Sequence, residues 1–66
     1  MKEKIAFITG ASGEIGSALA EKLANLGYFL ILHYNTNVKQ ITILKEQLEE
    51  KYHAQCITFQ ADFATV

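Results

Sequence analysis

Three glycines near the start of the chain have the spacing of a phosphate-binding turn. Residues 9–16 read TGASGEIG, with glycine at every third position from Gly10. Gly10 permits a tight turn, and Gly13 lets the backbone approach a pyrophosphate without a side chain in between. Gly16 lets the helix that follows pack closely against the sheet. The pattern therefore predicts recognition of a dinucleotide.

The backbone at the start of that helix would bind the phosphate oxygens. We expect the amides around Ser12, Glu14 and Ile15 to face the anion, with the positive end of the helix dipole behind them. As a simpler alternative, the segment is only a connecting loop in which a serine caps the helix. A mononucleotide P-loop is disfavoured, because the Gly-Lys-Ser/Thr sequence that holds the β- and γ-phosphates is absent.

The residues after the second predicted strand bear on the choice of dinucleotide. Sites for NAD place an Asp or Glu there for the ribose hydroxyls, but residues 33–37 read HYNTN. A carboxylate would repel a 2′-phosphate, so its absence favours NADP over NAD. We expect contacts from Tyr34, Asn35 and Thr36, with the second helix start and Lys39 beside them. Alternatively, this segment only ends a strand and caps a helix.

These residues must be positioned by an alternation of strands and helices. Apolar runs at 4–9, 28–34 and 55–60 lack polar alternation, as strands buried on both faces do. Helical spacing fills residues 14–26 and 38–52. The order predicts an α/β fold, a Rossmann-like βαβαβ half of a doubly wound parallel sheet. Right-handed crossovers give the strand order 3-2-1, an incomplete sheet with no fourth strand beside the first.

Each predicted helix has an apolar stripe and a termination signal. The first stripe consists of Ile15, Ala18, Leu19, Leu23 and Leu26, with Lys22 among them. The second consists of Val38, Ile41, Leu44 or Lys45, Leu48 and Tyr52. Gly27 is expected to end the first helix in a left-handed conformation, and Asn37 is a candidate cap for the second.

The glycine turn and its surroundings resemble the short-chain dehydrogenase/reductase family over the whole chain. The sequence is most similar to the classical, ketoacyl-reductase-like members, through TGAS-x-x-IG and the two strand–helix units. Glu14 departs from the classical TGxxxGxG pattern, and Gly13 instead fits the spacing of the extended subfamily. The resemblance implies that Asp62 hydrogen-bonds the adenine amino group with the Phe63 amide nearby. Asp62 could otherwise be an ordinary turn residue.

The resemblance also implies that the catalytic groups lie elsewhere. Family members carry an Asn-Asn-Ala-Gly segment and, later, a serine with a Tyr-x-x-x-Lys pair, in which the tyrosine is the general acid. Tyr28, Tyr34 and Tyr52 lack a lysine four residues later, so no catalytic residue is expected here. We expect residues 1–66 to be the N-terminal portion of one NAD(P)-binding domain, without an internal boundary. The resemblance implies a parent oxidoreductase that acts on a small carbonyl or alcohol, with a 3-oxoacyl-type reductase as a candidate, and that forms a homo-oligomer.

Composition excludes several other classes of protein. The 66 residues are 50% hydrophobic and 20% charged, which is too apolar for a disordered tail. A net charge of −1 without any arginine argues against nucleic-acid binding, and no signal peptide or membrane span is visible. We expect a cytoplasmic chain without a disulfide or a metal site, in which Cys56 is buried and His33 only ends a strand. The alternatives are a non-catalytic nucleotide-sensing module and a small structural or assembly domain.

Overall fold

The computed structural model describes residues 4–62, which alternate strands and helices in the predicted order. The elements are β1 (Ile5–Ile8), α1 (Glu14–Asn25), β2 (Phe29–Tyr34), α2 (Val38–Tyr52) and β3 (Cys56–Gln60). Both strand pairs are parallel, and β2 lies between the other two. The predicted α/β class and strand order are therefore confirmed.

The core lies on one face of the sheet, beneath both helices. Leu30 and Leu32 of β2 are fully buried, and they belong to one cluster with buried residues of α1 and α2. Ile8 of β1 packs into the same cluster. Since side chains alternate between the faces of a strand, the neighbours of these residues point to the opposite face.

That opposite face is largely uncovered in the part of the chain that the structure describes. Ile5 and Phe7 of β1 are 58% and 52% exposed, and Ile57 of β3 is 50% exposed. The expectation that the strands are buried on both faces is therefore wrong for these residues of β1 and β3. The physical reason is that both helical crossovers lie on the same side of the sheet, so neither helix covers the other side.

The face that α1 turns toward the sheet is also not the predicted one. Its buried residues are Ala20 and Ala24, one and two helical turns after Gly16. By contrast, Ile15 and Leu19 of the predicted stripe are 87% and 46% exposed. A row of small residues brings the helix axis close to the sheet, whereas the bulky stripe would hold it away.

The predicted face and ends of α2 agree better with the structure. Ile41, Leu44 and Leu48 are buried, although Val38 is half exposed. The Asn37 side chain accepts a hydrogen bond of 3.1 Å from the Gln40 amide and so caps the helix. This cap was expected from the sequence.

Gly27 follows α1 with φ +88° and donates its amide to the Ala24 carbonyl at 3.0 Å. The predicted left-handed helix end is thus confirmed. Neither helix within residues 4–62 has the length and the apolar content that crossing a bilayer requires.

Candidate functional site

The predicted site residues that the structure describes lie at one edge of the sheet. The strands are parallel, so their carboxyl ends meet at the same edge. The turn after β1 is joined to β2 by a 2.8 Å hydrogen bond from the Ala11 amide to the His33 carbonyl. The end of β3 is joined to β2 by a 3.1 Å bond from the Ala61 amide to the Tyr34 carbonyl. The fold thus brings together three segments that are distant in sequence.

The glycine turn is tight, and it depends on the conformation of Gly10. This residue has φ +60°, in the left-handed region that side chains disfavour. Its carbonyl accepts a 3.0 Å hydrogen bond from the Gly13 amide, which closes the turn. The expectation that Gly10 permits a tight turn is therefore confirmed.

Gly16 lies against the backbone of the turn. A β-carbon on this residue would overlap the Gly10 carbonyl oxygen and would come within 3.0 Å of the Ala11 α-carbon. Gly16 was expected to let α1 pack closely against the sheet, but the atoms that leave no room for a side chain here belong to the turn. The absence of a side chain at this position lets α1 start directly behind the loop.

The start of α1 leaves several backbone amides without helical partners. Gly13 is the N-cap in an extended conformation, with φ −79° and ψ 172°, and no side chain caps the helix. The Ser17 amide donates to the Gly13 carbonyl at 2.9 Å. The amides of Glu14, Ile15 and Gly16 precede this bond, so no carbonyl of the same helix can accept them. The alternative of a serine-capped loop does not agree with this geometry.

The side chains around these amides leave the turn accessible. Ser12 is half-buried, whereas Glu14 is exposed at the first position of the helix. A cleft of about 1040 Å³ lies beside the turn and is lined by β1, the turn and the first turns of α1. Phe7, Ile15 and Leu19 supply apolar surface to this cleft.

The segment after β2 presents polar side chains at the same edge. Tyr34 is half-buried, and Asn35 and Thr36 are exposed. The Asn35 carbonyl accepts a 2.9 Å hydrogen bond from the Gln60 side chain, which attaches the segment to β3. Asn37 is the residue whose side chain caps α2. The alternative interpretation, in which this segment only ends a strand and caps a helix, therefore accounts for Asn37 but not for the side chains of Asn35 and Thr36.

His33 has a structural role that the sequence analysis missed. Its ring is buried, with only 6% of the residue exposed, beside the Phe59 ring at a centroid distance of 5.5 Å. Nδ1 accepts a 3.0 Å hydrogen bond from the Gly10 amide, and Nε2 lies 2.7 Å from the Ala61 carbonyl oxygen. The ring thus connects the glycine turn to the end of β3. The signal in the sequence was a histidine within an otherwise apolar strand.

The hydrogen bonds of His33 assign its tautomer. A backbone amide can only donate, so Nδ1 must present a lone pair toward Gly10. A carbonyl oxygen can only accept, so the proton lies on Nε2 and is donated to Ala61. These two contacts together correspond to the Nε2–H tautomer of the ring.

The remaining predicted site residues follow β3. Asp62 is exposed at the same edge of the sheet, and Phe63 lies outside the described residues. The assignment of an adenine contact to this pair stays a prediction. Within residues 4–62, no three metal-ligating side chains come together.

Cys56, at the start of β3, is buried as expected. Burial raises the pKa of its thiol, and the carboxylate of Glu49 adds to this effect. The thiol is therefore a core group, distant from the candidate site at the other end of the strand.

Known proteins are similar to this chain in sequence and in fold. The family model for short chain dehydrogenase matches residues 4–66. The uncharacterized oxidoreductase YmfI of Bacillus subtilis is 46% identical over 61 residues, which are 92% of this chain and 25% of that protein. The chain thus spans about a quarter of the length of this curated relative.

Two solved structures are similar to the chain and hold a dinucleotide. An alcohol dehydrogenase from Thermococcus sibiricus, complexed with 5-hydroxy-NADP, has a TM-score of 0.84 and 33% identity over 92% of this chain and 26% of its own. A short-chain dehydrogenase from Sphingobium yanoikuyae, in complex with NADPH, has a TM-score of 0.82 and 32% identity over 89% of this chain and 23% of its own. With the family match over nearly the whole chain, the chain belongs to the short-chain dehydrogenase family.

Proposed function

We propose that this chain forms the adenosine- and pyrophosphate-binding part of a nicotinamide dinucleotide site. The protein that contains it would be an oxidoreductase that transfers hydride between the cofactor and a small carbonyl or alcohol. The observation that carries the proposal is the closed glycine turn at the start of α1, where Gly16 lies directly behind Gly10. The dinucleotides bound by two structural relatives support it.

The residues present fit a bound pyrophosphate. At Gly13 a β-carbon would stand 3.3 Å from the Gly10 carbonyl oxygen, which is a tight contact within the turn. The helix-start amides of Glu14, Ile15 and Gly16 are donors without helical acceptors. An anion beside them would accept these donors and would also be stabilised by the helix dipole.

Charge at the edge supports NADP as the preferred dinucleotide. Residues 33–37 contain no carboxylate, and the exposed Asn35 and Thr36 side chains can donate hydrogen bonds to a 2′-phosphate. Lys39, which is exposed in the first turn of α2, adds a positive charge nearby. Glu14 is compatible with this proposal when its exposed carboxylate points away from the phosphates.

The described residues would bind and orient the cofactor. Asp62 would accept a hydrogen bond from the adenine amino group, and the turn would fix the pyrophosphate. The bound dinucleotide supplies or takes the hydride. None of the three tyrosines has a lysine four residues later, so the acid–base step is assigned to other residues of the protein.

The proposal extends to the oligomeric state and the cellular location of the protein. The exposed apolar side chains of Ile5, Phe7 and Ile57 support burial of this sheet face against further protein. We propose a cytoplasmic homo-oligomer whose subunits each contain one cofactor domain. Light scattering on the native protein would give the oligomeric state, and a monomeric mass would contradict this part.

Binding measurements on the full native protein test the cofactor. Calorimetric titration with NADPH and NADH should give a lower dissociation constant for NADPH. Thr36→Asp should reduce or reverse that preference, because the new carboxylate would repel the 2′-phosphate. Asn25→Asp, at the far end of α1, adds the same charge distant from the edge and should leave the preference unchanged.

The results distinguish the alternatives. Tighter binding of NADH than of NADPH would contradict the NADP assignment, and binding of neither would overturn the proposed function. Binding without turnover of any carbonyl or alcohol would indicate a nucleotide-sensing module instead of an enzyme.

A further inference from the structure

The buried imidazole of His33 connects two parts of the proposed site that the chain itself keeps far apart. We infer that His33 is a positioning residue, which sets the distance between the pyrophosphate-binding turn and the end of β3. This inference rests on the proposed function. It assigns no contact between the His33 ring and the cofactor.

On one side, the ring holds the first glycine of the turn. The Gly10 amide donates to Nδ1 at 3.0 Å, while the Gly10 carbonyl accepts from the Gly13 amide at 3.0 Å. The Gly10 residue is thus fixed through both of its backbone polar groups. Because Gly13 is the N-cap of α1, a shift of Gly10 would also move the helix-start amides.

The main chain of His33 adds a second attachment on this side. Its carbonyl accepts a 2.8 Å hydrogen bond from the Ala11 amide. A side-chain substitution at His33 leaves this bond in place. The turn would therefore stay near the end of β2. On this side of the ring, only the hydrogen bond that orients the Gly10 amide would be lost.

On the other side, the ring holds the end of β3. Nε2–H donates to the Ala61 carbonyl at 2.7 Å, and the next residue is Asp62, which is proposed to contact adenine. The imidazole is planar and rigid, and Phe59 packs beside it. The ring therefore bridges the two subsites directly, in addition to the main-chain bonds that join each of them to β2, and a dinucleotide must contact both subsites at the same time.

This geometry predicts a loss of affinity that depends on ligand length. A ligand that reaches from the adenine subsite to the turn requires the spacing to be correct. A ligand that reaches only the adenosine part does not. The probes are NADPH for the first class and adenosine 2′-monophosphate for the second.

Three substitutions at His33 separate its two hydrogen bonds. His33→Asn keeps an acceptor near the position of Nδ1, His33→Gln extends a donor toward the position of Nε2, and His33→Leu removes both. His53→Gln is the matched control, because His53 is exposed at the end of α2, outside the site.

On the full native protein, we expect His33→Leu to weaken NADPH binding about tenfold or more, because the Gly10 amide and the Ala61 carbonyl both lose their partner on the ring. His33→Asn and His33→Gln each keep one of the two bonds and break the other, so both should bind NADPH less tightly than the wild type and more tightly than His33→Leu. Adenosine 2′-monophosphate should bind all folded variants within about threefold of the wild type. Nitrogen-15 spectra of the wild type should show the Nε2–H tautomer of His33.

The outcomes separate this inference from the proposed function. If the wild type binds neither NADPH nor NADH, the proposed function fails, and this inference fails with it. If the wild type binds NADPH and the folded Leu, Asn and Gln variants all bind it as tightly as the wild type, the positioning role is overturned. Equal losses for NADPH and for adenosine 2′-monophosphate would also overturn it, since they would indicate general damage to the fold.

Discussion

A β-carbon on Gly16 would overlap the carbonyl oxygen of Gly10, six residues earlier in the chain. The obstructing atoms belong to the backbone, so they cannot move aside as the end of a flexible side chain can. The helix and the turn are therefore in contact at a point where only hydrogen fits.

Gly16→Ala tests this contact. The substitution has two opposite effects on the free energy of unfolding. Alanine in a helix is favoured over glycine by about 1 kcal/mol. Overpacking against the turn costs about 1–3 kcal/mol. We expect a net loss in the free energy of unfolding, measured by urea denaturation of the native protein. Ser17→Ala, at the next position of α1, should change it by less than about 0.5 kcal/mol. A Gly16→Ala protein that is more stable than the wild type would show that the contact is loose.

Gly10 should tolerate substitution differently, because its constraint is conformational. Its φ is +60°, and no atom beyond its two chain neighbours lies within 4 Å of the position that a β-carbon would occupy. Gly10→Ala should cost about 1–2 kcal/mol, the penalty for a left-handed backbone. Gly10→Asn should cost less, since asparagine adopts this region more readily. Equal losses of unfolding free energy for the two variants would argue against the left-handed conformation.

The Asn37 cap can be tested by truncating its side chain. Its Oδ1 accepts from the Gln40 amide, so Asn37→Ala leaves that amide without its partner. We expect a loss of about 0.5–2 kcal/mol in the free energy of unfolding. Gln40→Ala removes only an exposed side chain and keeps the amide, so it serves as the control. A similar loss for both variants would indicate that the cap contributes little.

The Cys56 thiol should react slowly while the protein is folded. Burial raises the pKa of this thiol, so a smaller fraction is the reactive thiolate at a given pH. We expect the reaction with a disulfide reagent, followed by absorbance, to be much slower in the native protein than in urea. The increase of the rate with pH should also be displaced to higher pH in the native protein. Equal rates with and without urea would contradict the buried position.

The order of the elements was predictable because it depends on local patterns. Unbroken apolar runs predicted the strands, and the signals at Gly27 and Asn37 predicted where α1 ends and α2 begins. The conformation of Gly10 followed from its position between a strand and a helix. In each case, the deciding interactions lie within a few residues along the chain.

The buried face of α1 was not predictable by the same reasoning. The helix has two apolar rows, and hydrophobicity alone selects the bulky row with Ile15 and Leu19. The structure instead buries Ala20 and Ala24, which continue the row that Gly16 begins. The close approach of Gly16 to the turn determines the choice, and this contact exists only in three dimensions.

The role of His33 was unpredictable for a related reason. Its partners are the backbone groups of Gly10 and Ala61, 23 and 28 residues away. Every residue except proline carries a backbone donor, and every residue carries an acceptor, so residue types could not reveal these partners. Only the parallel register of the strands brings them to the two sides of one ring.

The central position of β2 also determines the order in which this sheet can assemble and open. β1 and β3 do not pair with each other, since each forms its ladder with β2. Each pairing requires a helical crossover to close first, which costs chain entropy before any ladder forms. A folding intermediate with either ladder must therefore contain β2. Because β2 is hydrogen-bonded to a strand on each side, its amides should be among the last to exchange their hydrogens with solvent.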